Sequence, residues 1–330
     1  MIILFYKNYL SNKKFSYFFQ VLVYFGGHYF SVNKMNCSVI DIGANTIRLS
    51  IFAIEKNKPV LLFNKKQTCG LANYNERGFL SKDGVEVLIT TLKKFSELLL
   101  YYPVEKKYVF ATASLRNVKN SKKILEIVKS ETGINIDLLS GKEEANLGFL
   151  GISKSVKNID TGITVDIGGG STEVVYFENS EVKEIFNLDE GCLSLHKKFV
   201  KGIMPKKSEL KKIRAYLQEK TKGFTPENKA EKLIGIGGTI RTTGKLLADL
   251  KVINGKRNFK SKDVDYLYQQ LLEKKSKKPL DSLMKVAPDR IHTIQTGLII
   301  FMMICDIFGV EIINVSTFGL REGYVINKLV

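Results

Sequence analysis

The chain has 330 residues, more than a single hydrophobic core usually organises, and this length favours two domains. Hydrophobic residues make up 44% and charged residues 25% of the chain, which is typical of a globular protein and excludes an intrinsically disordered one. The net charge of +18 indicates an anionic partner such as nucleic acid, an anionic membrane or a phosphorylated substrate, although a solvated lysine-rich surface would carry the same charge.

The cysteines and histidines limit which metal sites and which redox environment are expected. The four cysteines are isolated in sequence, which argues against a zinc site and a disulfide framework; they are Cys37, Cys69, Cys192 and Cys305. Three histidines leave little room for a Ser-His-Asp triad or a histidine metal cage. We therefore expect a reducing, cytoplasmic location, and we expect any metal to be a hard cation held by carboxylates, phosphate and water.

Residues 1–34 differ from the rest of the chain, since they contain four lysines and no acid. Their apolar part, residues 17–30, is interrupted by polar residues and glycines, and it is too short for a membrane span, which needs about 20 apolar residues. We interpret this leader as disordered or as an over-extended start, with the folded protein beginning near Met35. A signal peptide and membrane tethering are the alternatives.

From residue 36 onward the pattern of apolar residues is regular. The first half predicts the order β-β-β-α-β-α-β-α, with strands at 38–42, 45–54, 60–66, 108–113 and 134–139 and helices at 85–100, 121–132 and 140–151. The second half predicts strands at 163–167, 172–177 and 182–187, a helical region from residue 192, a strand at 233–237, helices at 239–250, 263–274 and 294–308, a strand at 311–315 and a helix at 319–329. The helix at 294–308 is too short to cross a bilayer, and we expect no integral membrane span.

Two similar turns, 125 residues apart, dominate the sequence. Residues 39–46 and 164–171 share the plan of a buried strand, an aspartate, an apolar residue, a glycine turn and a hydroxyl. This spacing is about one domain, so we interpret it as a pseudo-duplication whose two halves face one cleft. Successive N–H groups in the triple glycine Gly168–Gly170 can be aimed at a phosphate oxygen, although three glycines also suit an ordinary flexible hairpin.

Asp41 and Asp166 each end a strand beside one of these turns. A buried carboxylate is costly unless it meets a cation or N–H donors. Two of them converging on a phosphate would suit Mg²⁺, which prefers a few carboxylates together with waters and substrate oxygens. The alternative is that each aspartate accepts hydrogen bonds from its own turn.

Two glutamates begin the helix that follows Ser140. With Ser140 as N-cap, Glu143 lies where its side chain can reach back to the cap N–H, which is a structural role. Glu144 is then free to act as a general base that orients a water against phosphorus, provided that burial raises its pKa. A Glu-Glu pair at a helix start is common and would carry little weight alone.

Arginines and one further glycine turn supply candidate phosphate contacts. Arg48, Arg116 and Arg321 follow strands or begin a helix and could grip phosphates in bidentate fashion, although a single arginine is more often in a surface ion pair. Gly237, Gly238 and Thr239 close a strand and open a helix, where backbone N–H groups form a natural anion site.

Taken in order, these segments resemble the Ppx/GppA phosphatase family, the exopolyphosphatases and guanosine pentaphosphate phosphohydrolases of the actin, sugar-kinase and heat-shock ATPase superfamily. The matching segments run from about residue 36 to the C-terminus; they are 41–49, 111–116, 140–145, 166–173, 235–239 and 319–323. The most specific is Ser-Gly-x-Glu-Glu-Ala at 140–145, upstream of Asp-Ile-Gly-Gly-Gly-Ser-Thr at 166–172.

The resemblance implies an α/β fold of two ribonuclease-H-like domains, at 35–150 and 151–330, each with a mixed five-stranded sheet, the active site lying in the cleft between them. It implies that Glu144 is the catalytic base and that Asp41 and Asp166 bind Mg²⁺, with Mn²⁺ or an additional K⁺ as alternatives. It implies a homodimer and a phosphate site made of Gly43, Asn45, Thr46, Arg48, Arg116, Gly168, Gly169, Gly170, Ser171, Gly237, Gly238, Thr239 and Arg321.

Two departures from the family pattern bear on substrate binding. Ala44 lies where the family commonly has serine, so one side-chain contact to phosphate is in doubt while the backbone N–H remains. The chain ends soon after Arg321-Glu322-Gly323, without the C-terminal helical HD-like domain of longer members. Because that domain helps to hold long polyphosphate, we expect short chains as substrates.

The sequence therefore predicts an exopolyphosphatase that releases terminal orthophosphate by Mg²⁺-assisted attack of water. Its high charge favours polyphosphate over guanosine penta- or tetraphosphate and disfavours nucleic acid; the lysines outside the site are Lys197, Lys198, Lys206, Lys207, Lys211 and Lys212. Guanosine pentaphosphate 5′-phosphohydrolase activity is the first alternative. A kinase-like phosphotransferase and a non-catalytic polyphosphate or alarmone sensor are the others.

Overall fold

The computed structural model of the protein describes residues 35–156, 160–273 and 276–329, together with the backbone of three strands before them. Those strands are β1 (Ile2–Lys7), β2 (Phe18–Phe25) and β3 (His28–Ser31), and they form an antiparallel sheet. The rest of the predicted leader lies outside the described residues. The expected start of the folded protein near Met35 therefore stays a prediction.

The first domain is a five-stranded mixed sheet in the order β10-β9-β4-β5-β6 with helices packed on it. Its elements are β4 (Asn36–Ile42), β5 (Thr46–Glu55), β6 (Lys58–Thr68), β7 (Asn75–Glu76), β8 (Phe79–Leu80), α1 (Lys82–Leu98), β9 (Lys106–Ala111), α2 (Ala113–Arg116), α3 (Ser121–Thr132), β10 (Asp137–Leu138) and α4 (Gly141–Ser155). A 3₁₀ helix over Leu71–Tyr74 follows β6. β4, β5 and β6 form an antiparallel meander, and β9 joins β4 in parallel.

The second domain repeats this plan with one strand more. Its elements are β11 (Thr161–Ile167), β12 (Thr172–Glu178), β13 (Glu181–Leu188), α5 (Cys192–Phe199), α6 (Lys207–Lys220), β14 (Lys232–Ile236), α7 (Gly237–Asp249), β15 (Asn258–Lys260), α8 (Ser261–Glu273), α9 (Lys278–Val286), α10 (Ile294–Phe308), β16 (Ile312–Val315) and α11 (Leu320–Leu329). The sheet order is β13-β12-β11-β14-β16-β15. Again an antiparallel meander, β11 to β13, is extended by parallel strands.

The prediction of a two-domain α/β fold with mixed sheets is confirmed, and the five-stranded sheet is found in the first domain. In the second domain the five-stranded expectation is wrong, because the three residues of β15 pair antiparallel with β16 and add a sixth strand. Two predicted strands of the first domain also change. The strand expected at 108–113 spans Lys106–Ala111, and the strand expected at 134–139 contracts to Asp137–Leu138.

Amphipathic packing accounts for the two cores. Leu88, Leu92 and Phe95 recur on one side of α1 and are buried against the first sheet. In the second domain α10 is apolar around most of its circumference, and it lies in the middle of the larger core. None of the helices within the described ranges is long and apolar enough to cross a membrane.

The last helix, α11, joins the two domains. Its backbone packs directly on that of α4. A Cβ added at Gly151 would lie 2.2 Å from the Gly319 carbonyl oxygen, and a Cβ added at Gly323 would lie 1.8 Å from the Leu147 carbonyl oxygen. Only glycine allows so close an approach at these two positions. At the other end of the helix, Lys328 forms an ion pair with Asp137 at 2.9 Å. Since Arg321 lies in the first turn of α11, this packing fixes its position between the domains.

Candidate active site

A cavity of about 380 Å³ lies between the two domains, at the ends of the strands that carry the duplicated turns. Most of the predicted site residues line it; they are Asp41, Gly43, Asn45, Thr46, Arg48, Glu144, Asp166, Gly168, Gly169, Gly170, Ser171, Gly237, Gly238 and Arg321. Residues that are up to 280 positions apart in sequence are therefore brought to one site.

The two turns have the same geometry. In the first, the Gly43 amide donates to the Thr46 carbonyl at 3.0 Å, and in the second, the Gly168 amide donates to the Ser171 carbonyl at 3.0 Å. The strand registers match as well, since Arg48 lies opposite Asp41 while Glu173 lies opposite Asp166. The pseudo-duplication predicted from the sequence is present in the backbone.

Helix α5 determines which way the triple-glycine amides point. The Gly168 carbonyl accepts a hydrogen bond from the Cys192 amide, and the Gly169 carbonyl accepts from the two following amides of α5. Because no peptide bond of the described chain is cis, the N–H groups of Gly169 and Gly170 point away from α5, opposite to those carbonyls. Both glycines line the cavity, so these N–H groups are presented to a ligand there.

The 3₁₀ helix performs the same task for the first turn. The Asn45 carbonyl accepts from the amides of Cys69 and Gly70, and the Ala44 carbonyl accepts from the Ala72 amide at 2.9 Å. By the same trans geometry, the N–H groups of Asn45 and Thr46 point away from the 3₁₀ helix. Two pairs of backbone donors thus come from opposite domains, as an oxyanion or phosphate site requires.

One lysine connects these two supports. Lys197, on α5, donates to the carbonyls of Ala72, Asn73 and Asn75 at 2.8, 3.3 and 2.8 Å. Lys197 is one of the lysines predicted to favour polyphosphate from outside the site, but its ammonium group is bound to the opposite domain. Lys198 is committed too, in an ion pair with Glu190 at 3.1 Å.

Close approach explains several of the glycines. A Cβ on Gly191 would lie 2.5 Å from the Gly168 carbonyl oxygen, so only glycine lets α5 reach the turn. Cβ atoms on Gly169 and Gly170 would lie 3.4 and 3.3 Å from the Cβ of Ala44. The side chain of Ala44, in the first turn, therefore lies close to the triple-glycine turn.

Asp41 and Asp166 face the cavity from the two domains. Burial raises the pKa of both carboxyls, that of Asp166 to about 6. Arg321 offsets part of this cost, with its Nε 3.9 Å from Asp41 Oδ2. Gly237 has a positive φ of 81°, and a Cβ there would lie 2.2 Å from Asp166 Oδ1, so this residue must be glycine for the aspartate to fit.

Glu144 is buried at the side of the cavity, with 8% of its surface exposed. Burial raises its pKa to about 7, and a hydrogen bond of 2.9 Å from Arg116 works against that rise. The neighbouring Glu143 makes the predicted capping box with Ser140, which is confirmed, so the two glutamates divide as expected. A carboxyl that titrates near neutral pH is suited to general base catalysis.

Glu173 is an acidic residue of this site that the sequence analysis missed. It is buried, its Oε1 has no hydrogen-bond partner among the described residues, and Arg116 Nη2 is 3.9 Å away. Burial first, and then the charges of Glu144 and Asp166, raise its pKa well above the usual value. The duplication itself carried the signal, since Glu173 occupies the position equivalent to Arg48.

Four cations that the sequence analysis did not single out also line the cavity: Lys66, Arg241, Lys245 and Arg290. Arg290 lies directly over the start of α7, where a Cβ on Gly238 would be 1.7 Å from its Nη2. Burial and the neighbouring Arg321 lower the pKa of Arg48 to about 10. With Arg48 and Arg321 the lining holds six cations, against five acids.

Two predicted phosphate ligands do not line the cavity. Arg116 lies behind it, because its guanidinium is held by Glu144, Glu173 and the Leu139 carbonyl. Thr239 is buried inside the second domain, against Gly297. Neither side chain is placed to contact a ligand between the turns, and Arg116 instead supports the glutamates.

The carboxylates can be tested as metal ligands by their chemistry. Within the described ranges, no three or more His, Cys, Asp or Glu side chains are gathered so that they could hold a metal ion by themselves. Asp41 and Asp166 are nevertheless two partly buried, cavity-facing carboxylates with raised pKa values, for which a cation would be favourable. This donor set fits Mg²⁺, which takes few protein ligands and completes its shell with water and phosphate oxygens.

Comparisons with known proteins agree with this arrangement. The family model of the Ppx/GppA phosphatase family matches residues 50–330. A bifunctional 3-dehydroquinate synthase/phosphatase of Fusobacterium nucleatum is 30% identical over 298 residues, which cover 84% of this chain and 44% of that protein. The chain thus spans less than half of that relative. Exopolyphosphatase 1 of Mycobacterium tuberculosis is 25% identical over 307 residues, covering 89% and 88% of the two chains.

Solved structures show the same fold. The crystal structure of the Aquifex aeolicus member of the Ppx/GppA family superposes with a TM-score of 0.73 at 27% identity, covering 89% of this chain and 97% of that one. An exopolyphosphatase from Cytophaga hutchinsonii superposes with a TM-score of 0.79 at 23% identity, covering 89% and 98%. The family match confirms the prediction of a hydrolase acting on phosphoanhydride bonds. The chain therefore belongs to the Ppx/GppA phosphatase family and has the α/β fold of that family.

Proposed function

We propose that the protein is an exopolyphosphatase, which releases orthophosphate from the end of inorganic polyphosphate. The observation that carries this proposal is the position of Glu144, a buried carboxylate in the wall of a cavity between two sets of backbone donors. Relatives named as exopolyphosphatases, similar over most of their length, support it.

In this proposal the terminal phosphate binds between the turns. The N–H groups of Gly169 and Gly170 donate to it from one side and those of Asn45 and Thr46 from the other. Such fixed dipoles need no reorganisation when charge develops on phosphorus oxygens, and losing one donor typically costs about 3–4 kcal/mol of transition-state stabilisation. Arg48 and Arg321 supply the full positive charges.

Glu144 orients the attacking water and accepts its proton. The water oxygen forms a bond to the terminal phosphorus while the bridging P–O bond breaks, so the products are orthophosphate and a chain shorter by one phosphate. Arg116 is a positioning residue here, since it holds the Glu144 carboxylate at 2.9 Å. Glu173 shares the same guanidinium and is the more deeply buried of the two, so we assign the first proton to Glu173, which leaves Glu144 as the base.

Asp41 and Asp166 are the residues that would hold Mg²⁺. A bound Mg²⁺ would supply charge neutralisation at phosphate oxygens that the backbone amides do not reach. Mn²⁺ as an alternative metal, K⁺ as an additional ion, the homodimer and the cytoplasmic location all stay predictions from the sequence.

The proposal is tested by Glu144→Gln, with orthophosphate release from polyphosphate as the readout. We expect turnover to be lost while polyphosphate still binds, because the substitution removes the base and keeps the volume. Glu143→Gln is the matched control, since glutamine also completes a capping box and should leave turnover unchanged. Retained turnover in Glu144→Gln would refute the assigned role, and no turnover by the unaltered protein would refute the function.

Guanosine pentaphosphate is the alternative substrate, and the same assay run on it separates the two. The lining of the cavity, as far as the structure describes it, contains no aromatic ring on which a purine could stack. This favours a substrate made of phosphates alone. ATP-dependent transfer to an acceptor hydroxyl would instead indicate the kinase-like alternative.

A further inference from the structure

A second, smaller cavity adjoins the candidate active site. It has a volume of about 200 Å³ and lies between α7, the loop 251–257 and the residues after β16. Two side chains of α7, Arg241 and Lys245, line both cavities. The two are therefore neighbouring compartments that share one wall.

Every charged side chain that lines this second cavity is basic: Arg241, Lys245, Lys256 and Arg257. The candidate active site, in contrast, mixes cations with Asp41, Asp166 and Glu144. Lys245, Lys256 and Arg257 have no ion pair with any carboxylate in the parts of the chain that the structure describes. Lys245, Lys256 and Arg257 are exposed, so these cations are available to an anionic ligand.

Backbone contacts hold the loop 251–257 against α7 and β16. A Cβ on Gly244 would lie 2.3 Å from the Lys256 carbonyl oxygen, so glycine lets the loop lie directly on α7. The Arg257 carbonyl accepts from the Val315 amide at 2.7 Å, which ties the loop to the end of β16 just before β15 pairs with it. The loop is therefore a built wall of the cavity.

The geometry of α7 connects the two compartments. Gly238, Arg241 and Lys245 follow one another at three and four residues and so lie along one face of the helix. At a rise of 1.5 Å per residue, the row runs about 10 Å, from the anion site at the helix start to the second cavity. Arg241 Nη2 lies 3.4 Å from the Ser316 carbonyl oxygen, which places the guanidinium at the boundary.

We infer that this cavity, lined by Arg241, Lys245, Lys256 and Arg257, binds the distal phosphates of a linear polyphosphate whose terminal phosphate lies between the turns. The inference rests on the proposed function, from which it takes polyphosphate as the substrate. A phosphate chain is favoured over a nucleotide because the cavity offers neither an aromatic ring nor a carboxylate or amide side chain to recognise a base. The second cavity thus makes affinity depend on chain length.

The test is the double variant Lys256→Gln/Arg257→Gln, neither residue of which lines the first cavity. Phosphate release is measured with tripolyphosphate and with long-chain polyphosphate. We expect KM for the long chain to rise about 5- to 10-fold, the effect of losing two partly screened charge contacts, with kcat and tripolyphosphate kinetics unchanged. Lys211→Gln/Lys212→Gln, which removes the same charge from an exposed face of α6, should change neither.

Direct binding of long-chain polyphosphate and of guanosine tetraphosphate, without turnover, separates the possible failures. If polyphosphate binding is lost in the Lys256/Arg257 variant and not in the Lys211/Lys212 variant, the site is supported. This holds even if the protein hydrolyses nothing, and only the proposed function then fails. The inference would be overturned if both double variants lost polyphosphate binding equally, or if KM for tripolyphosphate rose in parallel. A selective loss of guanosine tetraphosphate binding would overturn it too. Unchanged melting temperatures exclude misfolding as the cause.

Discussion

Replacing Arg116 with methionine should change the pH dependence of the reaction more than its maximal rate. The guanidinium donates at 2.9 Å to a carboxylate that is 8% exposed, so the contact is poorly screened by solvent. Hydrogen bonds to charged groups contribute about 1.5–3 kcal/mol, and one pKa unit corresponds to about 1.4 kcal/mol. Losing this contact should therefore raise the pKa of Glu144 by about one to two units.

The sign of the effect follows from the role of Glu144 as a base. With its pKa at about 7 in the unaltered protein, kcat/KM should increase with pH through neutrality and then level off. In Arg116→Met the inflection should move to about pH 8–9, so that kcat/KM at pH 7 falls about 5- to 50-fold and recovers in alkali. Initial rates of phosphate release from polyphosphate between pH 6 and 10 measure this shift. Arg116→Lys, which keeps the charge, should shift the inflection less.

A different outcome would restore the role that the sequence predicted for Arg116. If Arg116→Met raises KM by the same factor at every pH and leaves the inflection in place, the arginine binds phosphate directly. Our placement of its guanidinium behind the glutamates would then be wrong for the substrate complex.

Two further changes probe the buried acid and the interdomain lysine. Burial raises the pKa of Glu173 in the folded protein. Above the usual carboxyl pKa, the unfolded chain has therefore released a proton that the folded chain retains. The free energy of unfolding consequently falls as pH rises. Glu173→Gln removes this penalty, so the variant should melt at a higher temperature than the unaltered protein at pH 8 but not at pH 4. The same difference in melting temperature at both pH values would contradict the assignment. Lys197→Met should lower kcat roughly tenfold or more by misaligning the two turns, while Lys211→Met, on an exposed surface, should not. Unaltered kcat in Lys197→Met would mean that the turns are held without it.

Local sequence patterns were sufficient for the parts of the site that are made locally. The glycine turns, the capping box at Ser140 and the division between Glu143 and Glu144 each depend on residues within a few positions of one another. The duplication then predicted that the two turns face one cleft, because each domain carries its turn at the equivalent edge of its own sheet. Glu173 was missed although its equivalent, Arg48, was identified, since the comparison was made along the turns and not across the strand pairs.

Contacts made at long range could not be predicted in this way. Arg290 reaches the cavity from a second 3₁₀ helix, Pro288–Arg290, and Lys66 reaches it from the end of β6. Neither has a neighbour in sequence that indicates a ligand site. Likewise β15 is only three residues long, which is too short to show a periodic pattern, and pairing with β16 alone makes it a strand. Arg116 was identified, but its contacts with Glu144 and Glu173 were not, because the sequence does not show that two buried carboxyls lie beside it.

Ala44 offers a test of how closely the two turns enclose the phosphate. Its Cβ lies close to Gly169 and Gly170 of the opposite turn, and the residue lines the cavity. Ala44→Ser would add a hydroxyl donor beside the amides of Asn45 and Thr46. If the phosphate binds there, the added bond should lower KM for polyphosphate about fivefold, which corresponds to about 1 kcal/mol, with kcat little changed.

The control for this change is Ala44→Val, which adds bulk without a donor and should raise KM by crowding Gly170. A serine variant with unchanged KM and an unchanged melting temperature would show that the phosphate does not reach Ala44. In that case the terminal phosphate would be bound by the triple-glycine turn, and the turn from Gly43 to Thr46 would serve to position Asp41. The two turns would then be alike in backbone geometry and different in function, as the pairing of Asp41 with Arg48 and of Asp166 with Glu173 already suggests.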